Sequence, residues 1–439
     1  MSNSKKSISR LAAVALAATV GLAGCGDSDL FDVKNPGKIL DEDLNTAEGV
    51  AALVTGMSSD FSSSYDDMAF MGARLADEMA GSGSYFSTGR LRRGLMDSED
   101  ADGYWNGVQR ARWVAEAGLE RMKEIEGFQF DGNKNVARAY LLGGLANRWF
   151  GETFCEVVFS APYDSDDGTA QPRTAAFQRA IPELEAAISQ GQSSGASDVV
   201  TAARGALASV QAWLGNWDAA MAASAQVPTD FMYSAVYSAN SGRENNVIWD
   251  ETHGRAEISA FGSLAGSFAA PGDPRAPFTD CTVSNCSSKN GADGDTPHYR
   301  QEKYPDVGGD IPLVKGTEMR LLEAERALLN GNLAGAMAKI NEARAHYGLA
   351  PLTSDGNIGS ITGSRTSMSG WDILDRERHL TNWLEGRRLW DLHRWDHPFL
   401  DGGGVVYEAT VARRASCLPI ADQECQTNPN IPNGKCFTM

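Results

Sequence analysis

From Thr46 onward the apolar positions recur every three or four residues, the spacing of helices that turn one face inward. In "YWNGVQRARWVAEAGLERMKEIEG" (104–127), Trp105, Val108, Ala115, Leu119 and Met122 keep that spacing, with charges between them. "NVARAYLLGGLANRWFG" (135–151) and "AFQRAIPELEAAISQG" (176–191) read the same way. No alternating β-branched run interrupts this half, so the pattern predicts helix packed on helix. Two segments are alike: "GNWDAAM" within 201–227 and "GNLAGAM" within 318–348 each join an Ala-rich helix to a second one through Gly-Asn. Small residues at such a crossing let two helices approach closely, which predicts tetratricopeptide-like helical hairpins.

Between the hairpins the texture changes. Residues 228–316 are rich in Pro, Gly, Ser and Asn, and form a loop-rich insert with one short strand predicted at "ENNVIWDE" (244–251). The helical scaffold is therefore expected over 46–227 and 317–397, with an irregular carboxyl-terminal segment over 398–439. Together these make one all-α unit, 46–439. The densest side-chain chemistry lies in "RERHLTNWLEGRRLWDLHRW" (376–395). Placed on one helix, Leu380, Trp383, Leu384 and Trp390 fall toward one side. Asp375 and His379, and Arg387 and Asp391, become i,i+4 partners, and Glu385 lies i,i+3 from Arg388. Catalytic carboxylates need environments that drive their pKa values apart, whereas acids interleaved with arginines are held ionised. The cluster reads as structural.

The amino terminus reads as an export signal over 1–24: a basic start (Lys5, Lys6, Arg10), the apolar run "LAAVALAATVGLAG", then Cys25. The run is too short for a membrane span. "LAGC" resembles a bacterial lipobox, which predicts lipidation of Cys25 and a lipid-anchored tether over 25–45. Seven cysteines are an odd number, and Cys25 is the one set aside. The six others suit disulfides in an oxidising compartment better than zinc, since no CxxC occurs. Cys281 and Cys286 are close enough to pair locally. The preferred scheme adds Cys425–Cys436 and Cys155–Cys417, with other pairings open.

A formal charge of −18 makes nucleic acid an unsuitable partner. No GxGxxG, Walker loop or HExxH is present, and no GxSxG follows a strand as a nucleophile elbow does, so no catalytic residues and no cofactor are assigned. "DGNKN" (131–135) starts like a calcium loop but has Val136 at the glycine position and Leu142 at the glutamate position. "DSDDG" (164–168) reads as a solvated acidic turn. His393 and His397 lack a third ligand nearby, so no metal site is assigned.

Several motifs, in order along the chain, carry a family resemblance. "LDRERHLTNWLEGRRLWDLHRW" is similar to the signature helix of the SusD/RagB family of outer-membrane nutrient-binding lipoproteins. "MRLLEAERALLNGNLAGAMAKINEARAHYGLAPL" resembles the family's helical pair, "GDPR" (272–275) its Asp-Pro-Arg loop, "LPIADQECQTNPNIPNG" (418–434) its closing segment and "LFDVKNPG" (30–37) its tether. The cysteines beyond Cys25 depart from that pattern. The resemblance implies a lipid-anchored position on the outer-membrane surface and partnership with a SusC-type TonB-dependent transporter. It also implies capture of an oligosaccharide, with an oligopeptide as the alternative; a glycan hydrolase working through two carboxylates is the more distant reading.

Sugar rings stack their C–H faces on exposed aromatics while neighbouring polar groups bind the hydroxyls. The scaffold aromatics belong to helical patterns. Tyr85 and Phe86 in "GSGSYFSTG", and Phe261 and Phe268 in "SAFGSLAGSFAAPG", lie instead in polar loops and are the expected ligand-binding residues. The first loop follows "LADEM", where the resemblance places ligand contacts.

Overall fold

The helical spacing is realised in consecutive helices that pack pairwise. The computed structural model describes residues 41–160, 166–263, 265, 272–353, 370–401 and 413–432. It divides into two units, Met1–Leu44 and Asn45–Met439. Of the first, only the 3-10 turn Asp41–Leu44 is described. The second unit begins with α1 (Val50–Leu75), followed by β1 (Ala80–Gly81), α2 (Phe86–Arg92), α3 (Ser98–Glu124) and α4 (Lys134–Thr153). Local signals set the starts. Asp97 and Asp100 form a reciprocal capping box at α3, and the Asn133 side chain accepts from Asn135 N at α4.

A hairpin of β2 (Glu156–Ser160) and β3 (Asp167–Pro172) then interrupts the helical half, contrary to the sequence expectation. "EVVFS" is too short to show a period, yet Val157, Val158 and Phe159 are buried against the helices. Next come α5 (Thr174–Ser194), α6 (Ser197–Trp213) and α7 (Trp217–Ser224), then β4 (Met232–Ala235), β5 (Ile258–Ser259), β6 (Phe278–Asp280), β7 (Tyr299–Gln301) and β8 (Ile311–Lys315). The chain continues with α8 (Gly316–Leu329), α9 (Leu333–His346), α10 (Trp371–Thr381), α11 (Arg388–Arg394) and α12 (Asp422–Thr427). The two Gly-Asn motifs fall at the α6–α7 and α8–α9 turns, so both expected hairpins are present. Gly316 opens α8 against the Pro228 carbonyl, where an added Cβ would approach to 1.8 Å, so only glycine fits.

The expected strand at 244–251 is not one. Asn246 caps a short helix, Val247–Trp249, which runs into a wide π turn, Asp250–Gly254. Its side-chain oxygen accepts from Ile248 N and Trp249 N, so a local cap outweighs β propensity here. The strands that do form make two-stranded antiparallel ribbons: β1–β5, β2–β3, β4–β8 and β6–β7.

The segment 376–395 is also not one helix. It breaks after Thr381, and Leu384 (φ +58°) and Gly386 (φ +69°) reverse the chain before α11. Its charges therefore reach other elements rather than neighbours on one helix. Arg388 grips Asp77 through two bonds of 2.6 and 2.7 Å, Arg387 reaches Glu152 at 2.9 Å, and Glu385 accepts from Lys303 and Lys315. Arg378 binds Asp391 at 2.9 and 3.1 Å. In the "GDPR" loop Arg275 folds back on Asp273 and reaches Glu377 on α10. Burial alone would raise the Asp375 carboxyl, but Arg388 and His397 more than offset it and hold it at about 2. The cluster ties the scaffold together.

The structure bonds Cys155 to Cys417 and Cys281 to Cys286. Cys425 is also disulfide-bonded, while Cys436 lies outside the described residues, as do Cys25, the export segment and Phe268. Of "DSDDG", 164 and 165 lie outside the described residues. Asp166 meets Arg179 at 2.7 Å, and Asp167 accepts from Thr169.

Candidate functional site

The loop carrying Tyr85 and Phe86 is fixed from below. β1 pairs with β5 in the register Ala80↔Ser259 and Gly81↔Ile258, which brings 82–86 over the insert. Ser82 N donates to Glu257 O at 2.9 Å, and Asp293 N donates to Ser82 O at 2.9 Å. Ser84 donates to the Glu257 carboxylate through both its backbone N and its hydroxyl, each at 3.2 Å. Tyr85 and Phe86 begin α2, and are 41% and 82% exposed. An aromatic ring that open, on a loop this well held, is a platform and not part of the core.

The surround is polar. The left-handed turn at Ala256 (φ +55°) separates Arg255 from Glu257, and the Arg255 guanidinium lies 4.8 Å from the Tyr85 ring centre. Arg74 on α1 donates to the Thr88 hydroxyl at 3.3 Å and to the Tyr104 hydroxyl at 3.1 Å. Glu251 is buried, and one carboxylate oxygen has no hydrogen-bond partner. Burial, then the charges of Glu257 and Asp250, push it up to about 7. The face thus offers an apolar ring surface beside acceptors, hydroxyls and a guanidinium, which suits a ligand with both C–H faces and hydroxyls.

Phe261 sits apart in character. It is half-buried with its edge on Tyr299 at 5.1 Å, and Tyr299 stacks on Phe278 at 5.5 Å. The structure brings Tyr85 and Phe86 together with β5, and packs Phe261 two residues beyond that strand. Arg74, Tyr104, Glu251, Arg255 and Glu257 were not singled out from the sequence. The signal available was Arg74 itself, a charge on the buried side of an otherwise apolar stretch, "MAFMGARLA" (68–76). Among the described residues no group of three or more His, Cys, Asp or Glu could hold a metal ion. No helix among them is long and apolar enough to cross a membrane.

A frame of helical hairpins carrying a loop-rich face of this kind is the SusD-like fold. Residues 307–434 match the model of the SusD family. A SusD-like protein from Bacteroides fragilis NCTC 9343 superposes with a TM-score of 0.66 at 13% identity, over 90% of this chain and 98% of that one. A SusD superfamily protein from Bacteroides vulgatus ATCC 8482 gives 0.60 at 14%, over 88% and 98%. A laminarin-binding SusD-like protein gives 0.59 at 17%, over 87% and 98%. A search of curated proteins finds no match. The carboxyl-terminal part of the chain is thus similar to the SusD family, and its fold is SusD-like, in line with the resemblance its motifs carry.

Proposed function

We propose that this chain is a non-catalytic, lipid-anchored surface protein that captures oligosaccharides and hands them to a SusC-type TonB-dependent transporter of the outer membrane. The observation that carries the reading is the pair Tyr85 and Phe86, held open on a rigid loop above a polar floor. The match of residues 307–434 to the SusD family model and the likeness in fold to a laminarin-binding SusD-like protein support the same ligand class. The lipobox-like "LAGC" supports the anchor. Of the acids at the face, Glu257 is engaged by Ser84, so it acts as loop scaffold and not as half of a hydrolytic pair. The alternative ligand, a cationic oligopeptide, is favoured by the overall charge of −18.

Calorimetric titration of the full chain against panels of neutral glycans and of peptides separates the two. Glycan binding that disappears in Tyr85→Ala/Phe86→Ala, with the melting temperature within about a degree of wild type, is the expected result; exposed side chains contribute little to stability. Undiminished glycan affinity in that double variant would place the site elsewhere. Binding confined to basic peptides would replace the sugar reading with the peptide one.

A further inference from the structure

The middle of α1 reads "TGMSSDFSSSYDD" (55–67), with serines at 58, 59, 62, 63 and 64. Serine is a poorer helix former than alanine, because its hydroxyl competes for backbone groups. On a helix this well packed, such a run needs a reason. Ser58, Ser63 and Ser64 turn their hydroxyls back to carbonyls of their own helix. Ser62 does not. It is 8% exposed and its hydroxyl has no protein partner, although its carbonyl accepts from the Tyr237 hydroxyl at 2.8 Å. A hydroxyl without a protein partner, on a side chain this buried that lines a cleft, is available to a ligand there.

Ser62 opens into a cleft of about 390 Å³ between α1, the start of α4 and β4, at the small end of the range for small-molecule sites. The β4–β8 register shifts between Tyr233 and Ser234, so Leu313 on β8 has no partner in the ladder and lines the cleft instead. Phe61 and Leu142 complete an apolar floor. Ser59 and Ser234 stand at the wall, their hydroxyls also without partners.

The wall includes one cation of unusual standing. Arg138 meets the Tyr233 hydroxyl, has no acid within ion-pairing range among the described residues, and leaves its Nε buried and unpartnered. In a chain with 57 acids against 39 basic residues, an arginine without a carboxylate stands out. Arg243, also on the cleft, is spoken for by Asp60 at 2.7 Å, and Glu244 is held by Ser238, Asn240 and Ser241. A planar guanidinium with donors to spare matches a carboxylate, while free hydroxyls over an apolar floor match a sugar ring.

We infer that this cleft is a second binding site, for a small acidic sugar of the hexuronate class, with Arg138 holding the carboxylate and Ser59, Ser62 and Ser234 the ring hydroxyls. It shares no residue with the Tyr85 face and stands whether or not that face binds glycans.

The test is titration of the full chain with sodium D-glucuronate, followed by ligand-detected NMR, with D-glucose as the neutral control. Glucuronate should bind at least about tenfold more tightly than glucose, because only it engages the charge on Arg138. Arg138→Gln should weaken glucuronate by about ten- to a hundredfold. Tyr85→Ala/Phe86→Ala should leave it unchanged. Ser59→Ala, at a half-buried wall position, reports on the site if Arg138→Gln lowers the melting temperature, and should weaken binding severalfold. No glucuronate binding, equal binding of glucose, or binding untouched by both Arg138→Gln and Ser59→Ala overturns the assignment.

Discussion

Trp383 shows what a single residue can and cannot reveal. Its place on the apolar side of 376–395 marks it for burial, and it is 0% exposed. Its partners lie far off in sequence: the indole N–H donates to Glu78 O at 3.1 Å, and Leu384 N donates to the Glu78 carboxyl at 2.7 Å. Trp383→Ala should cost on the order of 3 to 5 kcal/mol, from lost burial and the cavity left behind. Urea unfolding followed by circular dichroism measures it, and an unchanged midpoint would contradict the buried assignment. Burial was legible here because it follows the period of the chain. The charge partners were not, since Arg388 with Asp77 and Arg387 with Glu152 join residues that only the finished fold brings together. Tyr85 and Phe86 were legible as exposed from their loop composition. Their polar neighbours Arg255 and Glu257 were hidden by a left-handed turn at an alanine, which no propensity signals.

Among the elements, long helices were the easiest to read and short ones the hardest. α3, α4 and α5 follow from their spacing, but α10 and α11 separate at Leu384, a non-glycine residue with positive φ. The interior of α3, α4 and α5 holds a further feature that periodicity does not show. Asn147 on α4 donates to Glu116 on α3 at 3.1 Å and to Glu183 on α5 at 2.8 Å. Arg112 and Arg179 attend Glu116, whereas one oxygen of Glu183 has no partner. Burial first, then the Glu116 charge, raises Glu183 from 4.5 to about 8. A carboxyl raised on folding stabilises fully below its unfolded value, and that contribution is lost as pH climbs through the folded value. Stability from Glu183 should therefore decline between about pH 4.5 and pH 8. Glu183→Gln keeps an uncharged group there, so its melting temperature should gain on wild type from pH 5 to about pH 8 and the difference should level off by pH 9. A difference independent of pH would show that Glu183 is ionised throughout.

For the whole molecule, the frame of hairpins and its SusD-like fold were both legible, because several motifs stand in order over most of the chain. The ligand was not, because a binding face is assembled from loops whose approach depends on pairings as short as β1 with β5. The anchor is testable apart from the ligand. Labelled palmitate should enter the wild-type chain and not Cys25→Ser, and the variant should leave the membrane fraction; a wild-type chain that never takes the label removes the lipoprotein reading. The disulfide between Cys155 and Cys417 spans 262 residues and sits where Phe154 bridges Leu418. It joins residues far apart along the chain, and the time to fold grows with such distance. Once that bond is closed, even a fully unravelled chain keeps its two partners side by side, and one long search is already over. The sequence of events after export then matters as much as the final contacts. A chain oxidised early begins with its far end already home, whereas one kept reduced has to find it by diffusion.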